Sequence, residues 1–106
     1  MVGVEDINLS GNCIGVKGVT SLCILFSNPT CKIKSLNVSN NNIADHLLAS
    51  IIKSINKVPL TFLKLSQNHG NRKMCIQLKT LIKHNHLIDL DLSWNKIDSV
   101  SAFHLI

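Results

Sequence analysis

The chain has 106 residues, enough for one domain, and 45% hydrophobic against 16% charged residues exclude a disordered, charge-dominated segment. Eleven Lys and Arg against six Asp and Glu leave a formal net charge of +5. Apolar runs are short and broken by polar residues, so none reaches membrane-spanning length, and Met1–Glu5 has no apolar run of signal-peptide type.

The first predicted element is a strand. Ile7 and Leu9 are two apart and share one side, while Asp6, Asn8 and Ser10 take the other. Val4 precedes this strand, and Asn12 and Ile14 follow it. Gly15-Val16-Lys17-Gly18 leads into Val19, Leu22, Cys23 and Phe26, which form one helical face. Asn28-Pro29 ends that helix, and the unit spans residues 4–31. The second unit, 32–59, repeats the frame with Ile33, Leu36, Val38, Asn41 and Ile43. Asp45 suits the first turn of a helix whose apolar stripe is Leu47, Leu48, Ile51, Ile52 and Ile55. Val58-Pro59 closes it.

The third unit, 60–86, is irregular. Leu60, Leu63, Leu65 and Asn68 keep the frame, but Gly70 stands where an apolar residue belongs. A glycine there implies a left-handed turn or a bulging loop. The following helix is expected to carry Met74 or Cys75, Leu78, Leu81 and Ile82 inward. Arg72, Lys73, Lys79 and Lys83 point mostly outward. The fourth unit, 87–106, sets out Leu87, Leu90, Leu92, Asn95 and Ile97. Ser99 is its expected N-cap, followed by Val100 and Phe103. It stops at Ile106, part-way through a helix. Solenoid ends normally carry a polar cap, so the expectation is a single repeat domain that is a fragment of a longer one.

Asn12, Asn41, Asn68 and Asn95 recur 29, 27 and 27 residues apart. The frame L-x-x-L-x-L-x-x-N-x-I at this period resembles a leucine-rich repeat. Gly18-Val19-Thr20-Ser21-Leu22-Cys23, running on through Pro29, Cys31, Ile33 and Leu36, is similar to the ribonuclease-inhibitor subfamily, also found in NOD-like receptors. Phe26 and Ile33 stand in for leucines of its common phrase. The resemblance implies an α/β solenoid of about four repeats, a horseshoe fragment with parallel strands on the concave face and α-helices on the convex face. It implies protein recognition on the strand face. The turn asparagines are expected to form a ladder, each bonding to its neighbour's backbone.

The strand side chains then fall in rows: Asp6, Ser35, Phe62, Asp89; Asn8, Asn37, Lys64, Asp91; Ser10, Ser39, Ser66, Ser93; and a rim row of Gly11, Asn40, Gln67, Trp94. Most are small and polar. Phe62 and Trp94 are candidate binding anchors, with packing against neighbouring repeats as the alternative. Lys64, Asp89 and Asp91 are the distinctive charges beside them. The strand face is mildly acidic, and the helical face is basic.

Other chemistry finds little support. His84 and His86 are close, but no spacing fixes further metal ligands. Cys13, Cys23, Cys31 and Cys75 hold apolar or framework positions without a CxxC pair, as reduced, buried thiols of an intracellular, cytoplasmic protein would. Asn8-Leu9-Ser10 and Asn37-Val38-Ser39 match the glycosylation acceptor pattern, but position in the strand already explains them. No hydrolase, zinc-protease or phosphate-loop motif occurs. The expectation is a non-catalytic protein–protein interaction module, without cofactor, metal or small-molecule substrate, that binds a protein partner through Phe62, Lys64, Asp89, Asp91 and Trp94. The alternative is a structural spacer in a cytoskeletal or ciliary assembly, docked through the basic convex helices. The basic residues are not interleaved with aromatics, which argues against nucleic acid.

Overall fold

The computed structural model describes residues 3–105. Met1, Val2 and Ile106, where the signal-peptide and helix-end expectations partly fall, lie outside the described residues. Four three-residue strands alternate with helices: β1 (Asp6–Asn8), α1 (Gly15–Ser27), β2 (Ser35–Asn37), α2 (Asp45–Ser54), β3 (Phe62–Lys64), α3 (Arg72–His84), β4 (Asp89–Asp91) and α4 (Ser99–Ala102), followed by a 3-10 turn at Phe103–Leu105. The strands form one parallel sheet in the order β1-β2-β3-β4. Ile7, Leu36, Leu63 and Leu90 lie in register. Backbone pairing runs on past the strand ends, from Leu9 to Asn37, Val38 to Lys64 and Leu65 to Asp91.

The core lies between sheet and helices. Leu36, Val38, Leu63 and Leu65 meet Leu48, Ile51, Ile52, Met74, Cys75 and Leu78, all buried. Each fully buried leucine contributes about 1.5–3 kcal/mol relative to exposure. The same positions in the first and fourth repeats, Ile7, Leu9, Leu90 and Leu92, are only half-buried. An inner repeat is covered by two neighbours and an outer one by a single neighbour.

The asparagine ladder forms as expected. Asn41 Nδ2 donates to the carbonyls of Leu9, Val38 and Ser39 at 2.9–3.0 Å, and its Oδ1 accepts from Asn12 and Ile14 N–H. Asn68 repeats this toward Val38, Leu65 and Ser66, and accepts from Asn41 and Ile43. Asn95 bonds Leu65 and Leu92 and accepts from Gly70 N–H at 2.7 Å. One side chain per repeat thus satisfies buried groups that the turn leaves open.

Several local expectations need correction. Gly70 serves neither a left-handed turn nor a bulge. It is buried and has no positive φ, and a Cβ there would overlap the sulfur and methyl of Met74. Met74, fully buried, takes the space beside the residue that replaces Ile43 of the previous repeat. Ile82 is not inward but 44% exposed. Asp98, not Ser99, caps α4, accepting from Ser101 N–H at 2.7 Å. Cys31 and Cys75 are buried, but Cys23 is half-buried and Cys13 is exposed; all four are free thiols. Asp45 does lie in the first turn of α2, yet its carboxylate reaches across to the next repeat. It accepts from the N–H groups of Asn71, Lys73 and Met74 at 2.7–2.9 Å, capping α3.

Candidate functional site

The strand face holds the side chains that alternate away from the core. The register sets Asp6, Ser35, Phe62 and Asp89 in one row, and Asn8, Asn37, Lys64 and Asp91 in the next. Phe62, Lys64, Asp89 and Asp91 therefore form one cluster on two adjacent strands. Trp94 lies three residues beyond Asp91, at the rim where the strands turn toward the helices. Phe62 is 39% exposed and Trp94 80% exposed. Phe62 is thus partly packed on its neighbours, whereas Trp94 is not.

Hydrogen bonds divide these residues by role. Asn8 Oδ1 accepts from the N–H and hydroxyl of Ser10, at 3.0 and 2.8 Å. Asn37 accepts from Ser39 N–H. Asp91 takes both bonds from Ser93, at 3.0 and 2.7 Å. These are Asx turns that steady the strand exit. They account for the Asn-x-Ser triplets and show Asp91 committed to its own turn. The Ser93 hydroxyl and N–H, with help from the Lys64 charge, hold the Asp91 carboxyl below the usual carboxylate range against a small opposing effect of burial. Lys64 breaks the series, and Ser39 Oγ accepts from Ser66 N–H in its place. Among the described residues Asp89 and Lys64 make no side-chain hydrogen bond, so their polar groups are open to a partner.

The rim row has its own signature. Gly11, Asn40, Gln67 and Trp94 all have left-handed backbones, with φ of +73°, +55°, +54° and +58°. Glycine and asparagine suit that region; for tryptophan it costs roughly 1–2 kcal/mol. The presence of Gly11 and Asn40 in the row was a readable sign that Trp94 would be strained. Beside it lies a shallow cavity of about 320 Å3, lined by Asn40, Asn42, Gln67, His69, Trp94 and Lys96. Sequence reasoning placed the rim residues in a row but missed Asn42 and Lys96, which come from the loops behind it, as does His69 of the irregular third turn. A larger cavity of about 640 Å3 sits at the opposite edge, where Lys32, Lys53 and Lys57 flank the C-terminal ends of α1 and α2. Lysines there complement the helix dipoles.

On the convex side Arg72, Lys73, Lys79 and Lys83 of α3 are exposed, as are His84 and His86. Among the described residues no three metal-capable side chains converge. No helix among them is long and apolar enough to cross a membrane.

The Leucine Rich repeat family model matches residues 4–23, 31–46 and 83–103, together more than half of the chain. The chain belongs to the leucine-rich repeat family. The match skips most of the third repeat, where Gly70 and Met74 replace the usual anchor. A comparison with curated proteins returns no match. Leucine-rich repeat domains generally mediate protein–protein interaction and are typically non-catalytic.

Proposed function

We propose that this leucine-rich repeat chain binds a protein partner through its concave strand face, with Phe62, Lys64, Asp89 and Trp94 as contacts and Asp91 as the residue that fixes the local turn. The observation that carries the reading is the exposure of two aromatics beside uncommitted charges on a face whose other side chains are small or engaged in turns. Aromatics there bury large area at modest entropic cost when covered. A partner with a basic patch would meet Asp6 and Asp89. We also propose that the chain is a stretch of a longer, ribonuclease-inhibitor-like solenoid. Half-buried Ile7, Leu9, Leu90 and Leu92, with exposed Val100 and Phe103, support further repeats on both end faces. The free thiols support an intracellular location.

A second reading, an assembly spacer docked through the convex side, is favoured by the exposed Arg72, Lys73, Lys79 and Lys83 of α3. Affinity capture with three proteins separates the two: wild type, Phe62→Ala/Asp89→Ala, and Lys73→Ala/Lys79→Ala/Lys83→Ala, each with an unchanged melting curve. Loss of one partner in the concave variant alone is expected. Loss in the lysine variant alone would contradict the concave reading and favour the spacer.

A further inference from the structure

Polar side chains on the inner turns of this fold are mostly consumed by the fold itself. Asn68 makes five hydrogen bonds within the ladder. The rim row directly above it behaves otherwise. Among the described residues the Asn40 and Gln67 amides, the Trp94 indole N–H and the Lys96 ammonium make no side-chain hydrogen bond. Asn42 Oδ1 accepts from His69 Nε2, and its N–H2 group stays open. Asn40 and Gln67 are successive members of the rim row. Asn40 N–H bonds the Ser66 carbonyl and Gln67 N–H the Ser93 carbonyl, so the two stack one repeat apart, about 4.8 Å.

Four properties of this cleft define its ligand. The cavity is shallow and open-sided, suited to a chain lying across it. Its two stacked primary amides each offer a donor pair and an acceptor, the complement of a peptide unit's C=O and N–H. Its only fully charged lining residue is Lys96, and no carboxylate lines it. The fourth feature is Trp94, a bulky residue held left-handed and 80% exposed. Gln67 of the same cleft shares this left-handed backbone, and strain without a compensating contact within the fold points outward to a ligand. A single-stranded nucleic acid also offers flat rings and negative charge. A lining with one lysine and no arginine supplies too little positive charge to hold a chain of phosphates.

We propose that the rim cleft beside Trp94 binds an extended acidic segment of the protein partner: its backbone pairs with Asn40 and Gln67, an apolar residue packs on the indole, and an acidic side chain sits at Lys96. This rests on the protein-recognition reading and adds a second, chemically distinct contact. The strand rows would meet basic groups, and the rim an acidic one.

Trp94 is the only tryptophan in the chain, so its emission reports on this cleft alone. The probe is an acetylated, amidated decapeptide alternating proline and glutamate, titrated beside its lysine-for-glutamate counterpart and an oligothymidine. A saturable change in Trp94 emission with the glutamate peptide alone is expected. Lys96→Ala should weaken it roughly tenfold, the loss of one charge-assisted contact, and Gln67→Ala should weaken it less. Lys17→Ala, on the exposed side of α1, should leave it unchanged. Both rim side chains are exposed, and matched melting curves would verify that the variants fold. An equal response to the lysine peptide, a response to oligothymidine alone, or no response to any probe would overturn the proposal. Failure here is separable from failure of the concave reading. Silence toward the peptide with capture still lost in Phe62→Ala/Asp89→Ala would leave the strand face standing and remove the rim cleft.

Discussion

The third and fourth repeats both depart from the frame that the second repeat keeps, and they do so in opposite directions. The third departs inward. Gly70 removes an apolar side chain from the core, and Met74 fills the space, leaving no exposed gap. Lys64 removes a turn acceptor, and Ser39 supplies one from the neighbouring strand. The fourth departs outward. Trp94 occupies a left-handed position that Gly11 and Asn40 hold without strain and that Gln67 of the third repeat shares, and, unlike the third repeat's buried changes, nothing in the fold covers its ring. A compensated departure belongs to the architecture. The proposed function assigns the uncompensated one, kept at a cost in stability, to recognition.

The comparison breaks first if the interior is less coupled than it looks. Asn68→Ala removes five hydrogen bonds at a 4% exposed position and strands backbone groups of Asn41, Ile43 and Leu65. At roughly 1–3 kcal/mol for each group that water cannot reach, a loss of about 3 kcal/mol or more is expected in urea unfolding. Asn12→Ala, at the exposed end of the ladder, should cost about 1 kcal/mol or less. Equal losses would mean that the ladder is not a cooperative device.

The Gly70–Met74 exchange is sharpened by a double-mutant cycle. Met74→Ala should cost about 2–4 kcal/mol by opening a cavity. Gly70→Ile alone should cost about 1–3 kcal/mol by overpacking against the methionine. The double variant, which restores the isoleucine of the other repeats, should lose clearly less than the sum. Additivity would show that the two positions do not share one space.

The smallest effect is in pH. Hydrogen bonds from Ser93 and Ser101 hold the carboxyls of Asp91 and Asp98 below their ordinary range in the folded chain. A lowered folded pKa contributes stability above the unfolded value, about 4, and that contribution is lost as pH falls through the folded value. Stability should therefore drop below about pH 4, and less steeply in Asp91→Asn/Asp98→Asn. An identical acid limb in the variant would remove these two groups from the account.

The architecture was legible because its signals repeat. Asn12, Asn41, Asn68 and Asn95 mark four turns, and period-two apolar pairs mark four strands, so register followed from alignment alone. Phe62, Lys64, Asp89, Asp91 and Trp94 were legible as positions on the strand face for the same reason. Their division of labour was not. That Asp91 serves a turn while Asp89 is open depends on hydrogen bonds to Ser93, although the recurring Asx-x-Ser spacing hinted at it. Lys96 and Asn42 escaped notice because they lie in loops whose meeting at the rim is a tertiary fact. Gly70 was misread because its partner, Met74, belongs to the next helix rather than to the turn.

The central claim is that Trp94 trades stability for recognition. Replacing it with asparagine, the residue that Asn40 supplies at the same rim position, tests both halves in one variant. Relief of the left-handed strain should stabilise Trp94→Asn by about 1 kcal/mol while partner affinity falls. A variant that is less stable than wild type, or that binds as tightly, would contradict the account and return Trp94 to the architecture.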